Sequence, residues 1–369
     1  MHILITGNMG YVGPALVRMA TAELPDARLT GIDAGFFGHC LTGAPSLPES
    51  LLDRQIYKDV RNVTDEDLEG VDAVIHLAAL SNDPIGKAFE SLTAEVNHRA
   101  SVDIAAAAKR AGAKRFVFAS SCSVYGFAEG GPRDETSELN PLTAYARSKI
   151  ATERDVEALA DDDFVVTCLR FPTACGMSDR LRLDLVLNDF VAAAVAYQRI
   201  EILSDGTPWR PLIDVKDMTR AMLWAIGRDA DTGGRFLSIN VGRTEWNYQI
   251  RELAEAVRAQ MPEVEVSINE NAAPDKRSYQ VDFSKFAALA PDHQPCVSLD
   301  QSIRELRAGL QAMGFNNHDF RNSDFMRLKV LNSLREHHRL DPDLRWPVSY
   351  THLTLPTICF KCRCRGGPG

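Results

Sequence analysis

Tyr145 and Lys149 stand four residues apart in the stretch TAYARSK, Thr143 to Lys149. On a helix, residues at that spacing share one face. A phenol carries a proton, but its free pKa of about 10 is too high for a base near neutrality. An ammonium one turn away favours the phenolate and lowers that value. The pair is a candidate proton-transfer device, although one turn of an ordinary helix has the same spacing. A second set of residues suggests what such a device would serve. ILITGNMGYVG places Gly7, Gly10 and Gly13 directly after an apolar strand, with the spacing G-x-x-G-x-x-G. Glycines there let the backbone turn tightly, approach a pyrophosphate and pack a helix on the strand. The helix after the loop offers free N–H groups and a positive dipole end to phosphates. The loop therefore reads as a dinucleotide site, with Met9, Tyr11 and Val12 supplying packing and backbone contacts. Asp33 closes the next strand. A carboxylate there bonds the adenosine ribose hydroxyls and repels a 2′-phosphate, which favours NAD over NADP.

The elements that must position these residues alternate along the first half. HILIT, RLTGID, RQIYKDV, AVIHLAA, RFVFASS and VVTCLRF read as strands. Helical patterns separate them, from about Pro14 to Leu24, in ASVDIAAAAKRAG, and in TAYARSKIATERDVEALA. Strand–helix alternation predicts βαβ units and a parallel sheet. The second half is less regular. RLDLVLNDFVAAAVAY and NYQIRELAEAVRAQM read as amphipathic helices, and RFLSINVG as a strand returning to the sheet. The expected division is a nucleotide-binding domain over 1–175, with 208–262 partly returning to its sheet, and a substrate domain over 176–346.

Composition removes several function classes. At 45% hydrophobic and 25% charged, the 369 residues read as an ordinary globular chain. A formal charge of −9 gives no support for nucleic-acid binding. No apolar run approaches the roughly 20 residues of a membrane helix. MHILITG reads as a strand rather than a signal peptide, so the expected compartment is the cytoplasm. The eight cysteines are scattered and suggest no disulfide framework. Cys359, Cys362 and Cys364 lack a fourth ligand, so no metal site is expected. VSYTHLTLPT looks like a translated sequencing adapter, and residues 347–369 are expected to be a non-native tail.

The motifs also come in a telling order. SSCSVYG ends the fifth strand, and LNPLTAYARSK comes after it. Together with the glycine loop, Asp33, KDV at Asp59 and Val60, HLAA at Leu77 to Ala79, and Asn97, they resemble the extended short-chain dehydrogenase/reductase family. The likeness is to its branch of NAD-dependent nucleotide-sugar epimerases and dehydratases, and it covers about residues 1 to 345. It implies a Rossmann-type doubly wound α/β fold with a smaller mixed C-terminal substrate domain. It also implies Ser121 as the catalytic serine, Tyr145 as the acid/base and Lys149 as its helper, with Lys149 reaching the nicotinamide ribose. Leu77, Ala78, Ala79, Asn97 and Pro172 then belong to the cofactor side.

On the substrate side, Arg210 in GTPWRPLIDV and Arg277 in PDKRSYQVDF match arginines that hold a nucleotide diphosphate in the family. Arginine suits that task because its planar fork bonds two oxygens at once. Asn82, in LSNDP, is a candidate sugar contact. Thr173 stands where relatives often carry Asn, and Asp214 where many carry His. Cys122 lacks an activating histidine nearby and is expected to be inert. In the family's 4,6-dehydratases an Asp–Glu pair comes directly after the catalytic serine or threonine; here those positions are Cys122 and Ser123. The resemblance then leaves epimerisation, with C4 the expected carbon, or a single reduction of a keto-sugar. A non-catalytic nucleotide-binding sensor is the third reading. Relatives pair two helices into a homodimer; here the candidates carry Val102, Ile104, Ala105 and Ala108, and Ile150, Val156 and Leu159.

Overall fold

The computed structural model describes residues 1–127, 130–269, 272 and 278–347. Its strands are β1 (His2–Thr6), β2 (Arg28–Asp33), β3 (Arg54–Tyr57), β4 (Ala73–His76), β5 (Arg115–Ser121), β6 (Val165–Phe171), β7 (Thr173–Cys175), β8 (Arg199–Ile202), β9 (Trp209–Asp214), β10 (Phe236–Asn240), β11 (Asn247–Gln249) and β12 (Glu265–Ile268). Seven of them form one parallel sheet in the order β10-β6-β5-β4-β1-β2-β3. The chain order reverses beside β1, and ligands of such sheets bind outside the carboxyl ends of the strands at that switch. Thr6, Asp33, His76 and Ser121 are the last residues of β1, β2, β4 and β5, so the sequence candidates at and just beyond them gather at one edge.

Alternation along the strands supplies both faces. Ile3, Ile5, Ile75 and Val117 enter one buried cluster, while Leu4, Val74, Phe116 and Phe118 enter another. Strand side chains alternate sides with period two, and a parallel sheet must be covered on both faces. The helices include α1 (Gly13–Glu23), α2 (Asp83–Ala88), α3 (Glu90–Ala94), α4 (Ala100–Arg110), α5 (Ala144–Glu157), α6 (Val186–Tyr197), α7 (Val215–Gly227) and α8 (Ile250–Gln260). α4 and α5 cover the face built on Leu4, with Ile104, Ala105, Ala108 and Val156 fully buried there. That contact consumes most of the apolar surface from which a second subunit was expected. Val102, Ile150 and Leu159 remain partly exposed.

Two expected helices start later than their patterns suggest. α6 begins at Val186 rather than Arg182, because Leu185 is extended at φ −120° and ψ 135° and the side chains before it are engaged elsewhere. Asn247–Gln249 is β11, antiparallel to β9, and α8 starts after it with a capping box between Gln249 and Glu252. β9 also pairs with β7, and β8 with β12. Residues 1–330 form one unit, and a second begins at Leu331. In the second, the Asp341 carboxylate accepts the N–H groups of Asp343 and Arg345 at 2.9 and 2.8 Å. The tail from Val348 onward and its cysteines lie outside the described residues. Among the described residues no helix is long and apolar enough to cross a membrane.

Asp214 joins β9 to α7. Its carboxylate caps the helix by accepting the Lys216 N–H at 3.0 Å, and Ser302 donates to its other oxygen at 2.7 Å. Gly176 leaves it room, since a Cβ there would lie 2.2 Å from the carboxylate. Burial pushes the Asp214 carboxyl up to about 6. A raised carboxyl favours the native state at low pH, and that contribution is lost as pH rises through about 6. Asp214→Asn keeps a capping oxygen and removes the charge. It should raise the melting temperature at pH 8, by the equivalent of up to about 3 kcal/mol, and change little at pH 4. Equal shifts at both pH values in thermal melts would contradict the assignment.

Candidate active site

The three glycines after β1 divide their work. Gly7, at φ 73°, turns the chain so closely that a Cβ would lie 2.6 Å from the Ala78 nitrogen. At Gly13 a Cβ would meet the Asn8 oxygen at 2.1 Å, so α1 is seated on the loop by the lack of a side chain. Gly10 differs: within 4 Å a Cβ would meet the Gly7 oxygen alone, at 3.2 Å. Two glycines thus close the loop onto the protein and the middle one leaves a face open. α1 begins after Val12 with no side-chain cap, so its first N–H groups have no such acceptor. These features fit a pyrophosphate.

Asp33 lies beneath the loop. Its carboxylate accepts the N–H groups of Met9 at 3.0 Å and Gly35 at 2.7 Å, while burial raises its pKa. The Tyr11 hydroxyl donates to the Gly176 oxygen at 2.6 Å and accepts from Asn188 at 3.1 Å, tying the loop to the chain before α6 and to α6 itself. Leu77 and Ala78 hang on Thr6, through Leu77 N to the Thr6 carbonyl at 3.1 Å and Ala78 N to its hydroxyl at 3.4 Å. Ala79 comes next, and Leu80 is gripped at both backbone groups by the buried Asn97 amide, at 2.7 and 3.0 Å. Asn97 sits in a π-helical turn, Glu95–Arg99, and also reaches Ser148 of α5 at 3.4 Å. Such turns recur at functional sites. Asp59 is engaged by Arg61, with Nη2 at 2.6 Å and the backbone N–H at 2.9 Å, and Val60 beside it is buried.

α5 brings Tyr145 and Lys149 to the end of β5. Thr143 caps the helix by accepting the Ala146 N–H at 3.1 Å. Ser121 lies where it lowers the pKa of the Tyr145 phenol, and its Oγ accepts the Ser123 N–H at 3.1 Å. Lys149 is buried; its Nζ donates to the Ala119 oxygen at 2.7 Å and lies 5.4 Å from the centre of the Tyr145 ring. Burial pushes the Tyr145 phenol up to about 12, and Asp83 adds to the rise. Arg182 and Ser121 oppose it. Burial also draws the Lys149 ammonium down to about 7, against Glu153. The lowering of Tyr145 by Lys149 that the spacing predicts is thus absent from the ligand-free protein, where Arg182 supplies the opposing charge.

Arg182 and Asp184 begin a stretch that reads as an amphipathic helix, and Asp83 follows Asn82 in LSNDP; none of the three was singled out in the sequence. They surround Asn82. The Asn82 oxygen accepts the Ile85 N–H at 2.9 Å, capping α2, and its amide donates to Asp184 at 2.8 Å. Its backbone, at φ 88° and ψ 161°, is in a region used in practice by glycine, at a cost on the order of 1–3 kcal/mol. α2 lies directly on Tyr145, for a Cβ at Gly86 would come within 3.3 Å of the tyrosine's own Cβ and nitrogen.

Cys122 is fully buried, with its thiol donating to the Arg170 oxygen at 3.2 Å and its pKa raised by burial. It is no nucleophile here. The Ser123 hydroxyl is buried and finds no hydrogen-bond partner among the described residues. Pro172 lies between β6 and β7, and Thr173 opens β7, opposite Leu212 of β9. On β9, Arg210 donates to the Trp209 oxygen at 2.8 Å. Arg277 lies outside the described residues. Tyr279, close after it, is buried, and the charges of both Arg210 and Tyr145 act on its phenol. Its aromatic type gave no functional hint in the sequence.

Residues 3–242 match the family model described as the NAD dependent epimerase/dehydratase family. A UDP-glucose 4-epimerase of Lactobacillus helveticus is 26% identical over 249 residues, covering 61% of this chain and 72% of that protein. A dTDP-glucose 4,6-dehydratase of Streptomyces griseus is 27% identical over 77% of this chain and 86% of that one. Among solved structures, MoeE5 in complex with UDP-glucose and NAD has a TM-score of 0.70 at 25% identity, over 85% of this chain and 99% of that one. The UDP-glucose 4-epimerase of Thermus thermophilus in complex with NAD has a TM-score of 0.68 at 21% identity, over 84% and 99%.

The glycine geometry yields a direct test. Gly10→Ala should leave the melting temperature of the ligand-free protein close to wild type while weakening NAD binding about tenfold or more, read by calorimetry. Gly13→Ala should destabilise the fold itself. Undiminished NAD affinity in Gly10→Ala would show that the open face is not where the phosphates lie.

Proposed function

The chain belongs to the NAD-dependent epimerase/dehydratase family, and on that premise we propose that it is a nucleotide-sugar epimerase acting at C4 through a transient keto-sugar. The observation that carries the reading is the strand end itself. Tyr145 and Ser121 act on one another there, Lys149 is buried alongside, and the two residues after the serine are not acids. Hydride chemistry is supported by that set; elimination of water, which calls for an acid and a base, is not.

NAD, when bound, supplies a reversible hydride acceptor. The Gly7–Gly13 loop would hold its pyrophosphate and Asp33 its adenosine ribose, with Tyr11, Val12, Asp59, Val60, Leu77, Ala78, Ala79, Asn97 and Pro172 on the cofactor side. Ser121 orients the reacting hydroxyl. Tyr145 accepts its proton as the sugar is oxidised and returns it when the keto-sugar is reduced from its other face. Lys149 donates towards the nicotinamide ribose and keeps a positive charge near the phenolate. Asn82, Thr173, Arg210 and Arg277 are the proposed substrate side, with the two arginines, both from 176–346, on the diphosphate. On the same reading the protein is cytoplasmic and a homodimer joined through α4 and α5, where Val102, Ile150 and Leu159 are the apolar residues left partly exposed.

Tyr145→Phe should retain NAD and lose turnover by about 10² or more; near-normal activity would remove Tyr145 from the mechanism. A screen of nucleotide sugars by NMR with no added cofactor should show one 4-epimer converting to the other. Stoichiometric consumption of NADH would instead make the enzyme a keto-sugar reductase. NADP binding as tight as NAD, by calorimetry, would sink the role given to Asp33. Light scattering at micromolar concentration should give the mass of a dimer; a fully active monomer would refute the homodimer.

A further inference from the structure

The turn from β4 into α2 is built on the backbone of Asn82, which at φ 88° and ψ 161° is one that side chains rarely adopt. The start of α2 depends on that angle. The Asn82 side-chain oxygen accepts the Ile85 N–H at 2.9 Å and its carbonyl accepts the Gly86 N–H at 3.0 Å, which opens a helix of six residues. So short a helix has little stability of its own. The other end of the amide donates to Asp184 at 2.8 Å. Asp184 in turn is held by the Arg182 fork, with Nε at 2.5 Å and Nη2 at 2.9 Å. The remaining Nη1 of Arg182 donates to Ser81 at 2.9 Å. One nearly buried Arg–Asp pair, far along the chain, therefore grips two successive residues of the turn. Beyond the turn, the backbone of Gly86 lies against Tyr145.

We propose that Asp184, braced by Arg182, is a positioning residue: it holds Asn82 in its positive-φ conformation and so seats α2 on Tyr145. Return of Asn82 to negative φ would redirect the chain entering α2 and lift Gly86 from the tyrosine. Asparagine serves because it offers both an oxygen to cap α2 and an amide to be held. The kinetic consequence rests on Tyr145 as the acid/base; the structural one does not.

Two substitutions at position 82 separate this role from simple loss of an ion pair, since both leave Arg182 and Asp184 in place and both remove the capping side chain. Glycine adopts the required φ unaided, and alanine does not. Hydrogen exchange of the amides from Ile85 to Ala88, measured on substrate-free protein, should stay near wild type in Asn82→Gly. It should quicken about tenfold or more in Asn82→Ala. Asp184→Asn should quicken it in the wild-type background but not in Asn82→Gly. Asp184→Asn, which leaves the Asn82 side chain in place, should also lower kcat about 10- to 100-fold; the position-82 variants remove a proposed sugar contact and are read by exchange alone. Equal exchange in the glycine and alanine variants overturns the proposal, as does an Asp184→Asn defect that Asn82→Gly leaves untouched. The position-82 pair decides the matter if Asp184→Asn does not fold. Exchange in the expected order while kcat ignores Asp184→Asn upholds the clamp and counts against Tyr145 instead.

Discussion

A buried ion pair between Glu153 and Arg170 decides how α5 lies on the sheet. Both side chains are about 6% exposed, and Arg170 Nη2 meets Glu153 Oε2 at 2.7 Å. Burying two charges is costly unless their geometry is good and the remaining donors and acceptors are filled. Here they are filled: Ser238 donates to Glu153 at 2.9 Å, Ser120 also bonds it, and Arg170 reaches the Tyr125 hydroxyl at 3.1 Å. That hydroxyl donates on to Asn240 at 2.8 Å. One network thus joins α5 to β5, β6 and β10. Tyr145, Lys149 and Glu153 recur every four residues, so fixing Glu153 turns the whole row toward the sheet. Lys149 is thereby laid over Phe118, 4.5 Å from the ring centre, and Tyr145 is brought to the strand end.

That orientation sets the electrostatics. The same loss of water raises a phenol and lowers an ammonium, because in each case it disfavours the charged form. Tyr145 near 12 and Lys149 near 7 are two outcomes of one cause. Burial therefore keeps the Tyr145 phenol protonated and loosens the hold of Lys149 on its proton. Lys149 points its Nζ at the Ala119 carbonyl rather than at the phenol oxygen, so its help to a phenolate is modest in this state. Any positive charge a ligand adds near the pair would act on Tyr145 in the direction that Arg182 already does.

Much of this was legible in the sequence where local pattern and fold agree. The glycine spacing, the apolar strands and the Tyr–Lys repeat each depend on residues close together in the chain, and each is where the pattern puts it. What the pattern hid depends on distant partners. Glu153 and Arg182 read as solvated charges because nothing nearby reveals that Arg170 and Asp184 await them in the interior. RLDL before α6 has a helical pattern, yet Arg182 and Asp184 are spent on the turn after β4. The lowering of Tyr145 was expected from spacing alone, which says nothing of burial, and burial is the larger influence. Of the apolar residues read as a second subunit's surface, Ile104, Ala105, Ala108 and Val156 pack on the chain's own sheet, which their spacing alone does not tell.

The strand end is informative for what it lacks as well. Loss of water from a sugar needs one group to protonate the departing hydroxyl and another to take a proton from the neighbouring carbon. Cys122 is sealed beneath the backbone with its thiol held protonated by burial, and Ser123 carries a neutral hydroxyl. Neither is suited to that work, and on the proposed reading Tyr145 carries the proton in both directions. One carrier is enough for oxidation and re-reduction at the same carbon, because the two half-reactions exchange the same proton and leave no net change. The Ser123 hydroxyl, without a partner among the described residues, fits the same picture. A buried polar group without a hydrogen bond costs about 1–3 kcal/mol, and a sugar oxygen placed beside Ser121 would come near the group that bears that cost. On the proposed reading, a residue that offers no acid for elimination is then also one that can favour the bound sugar.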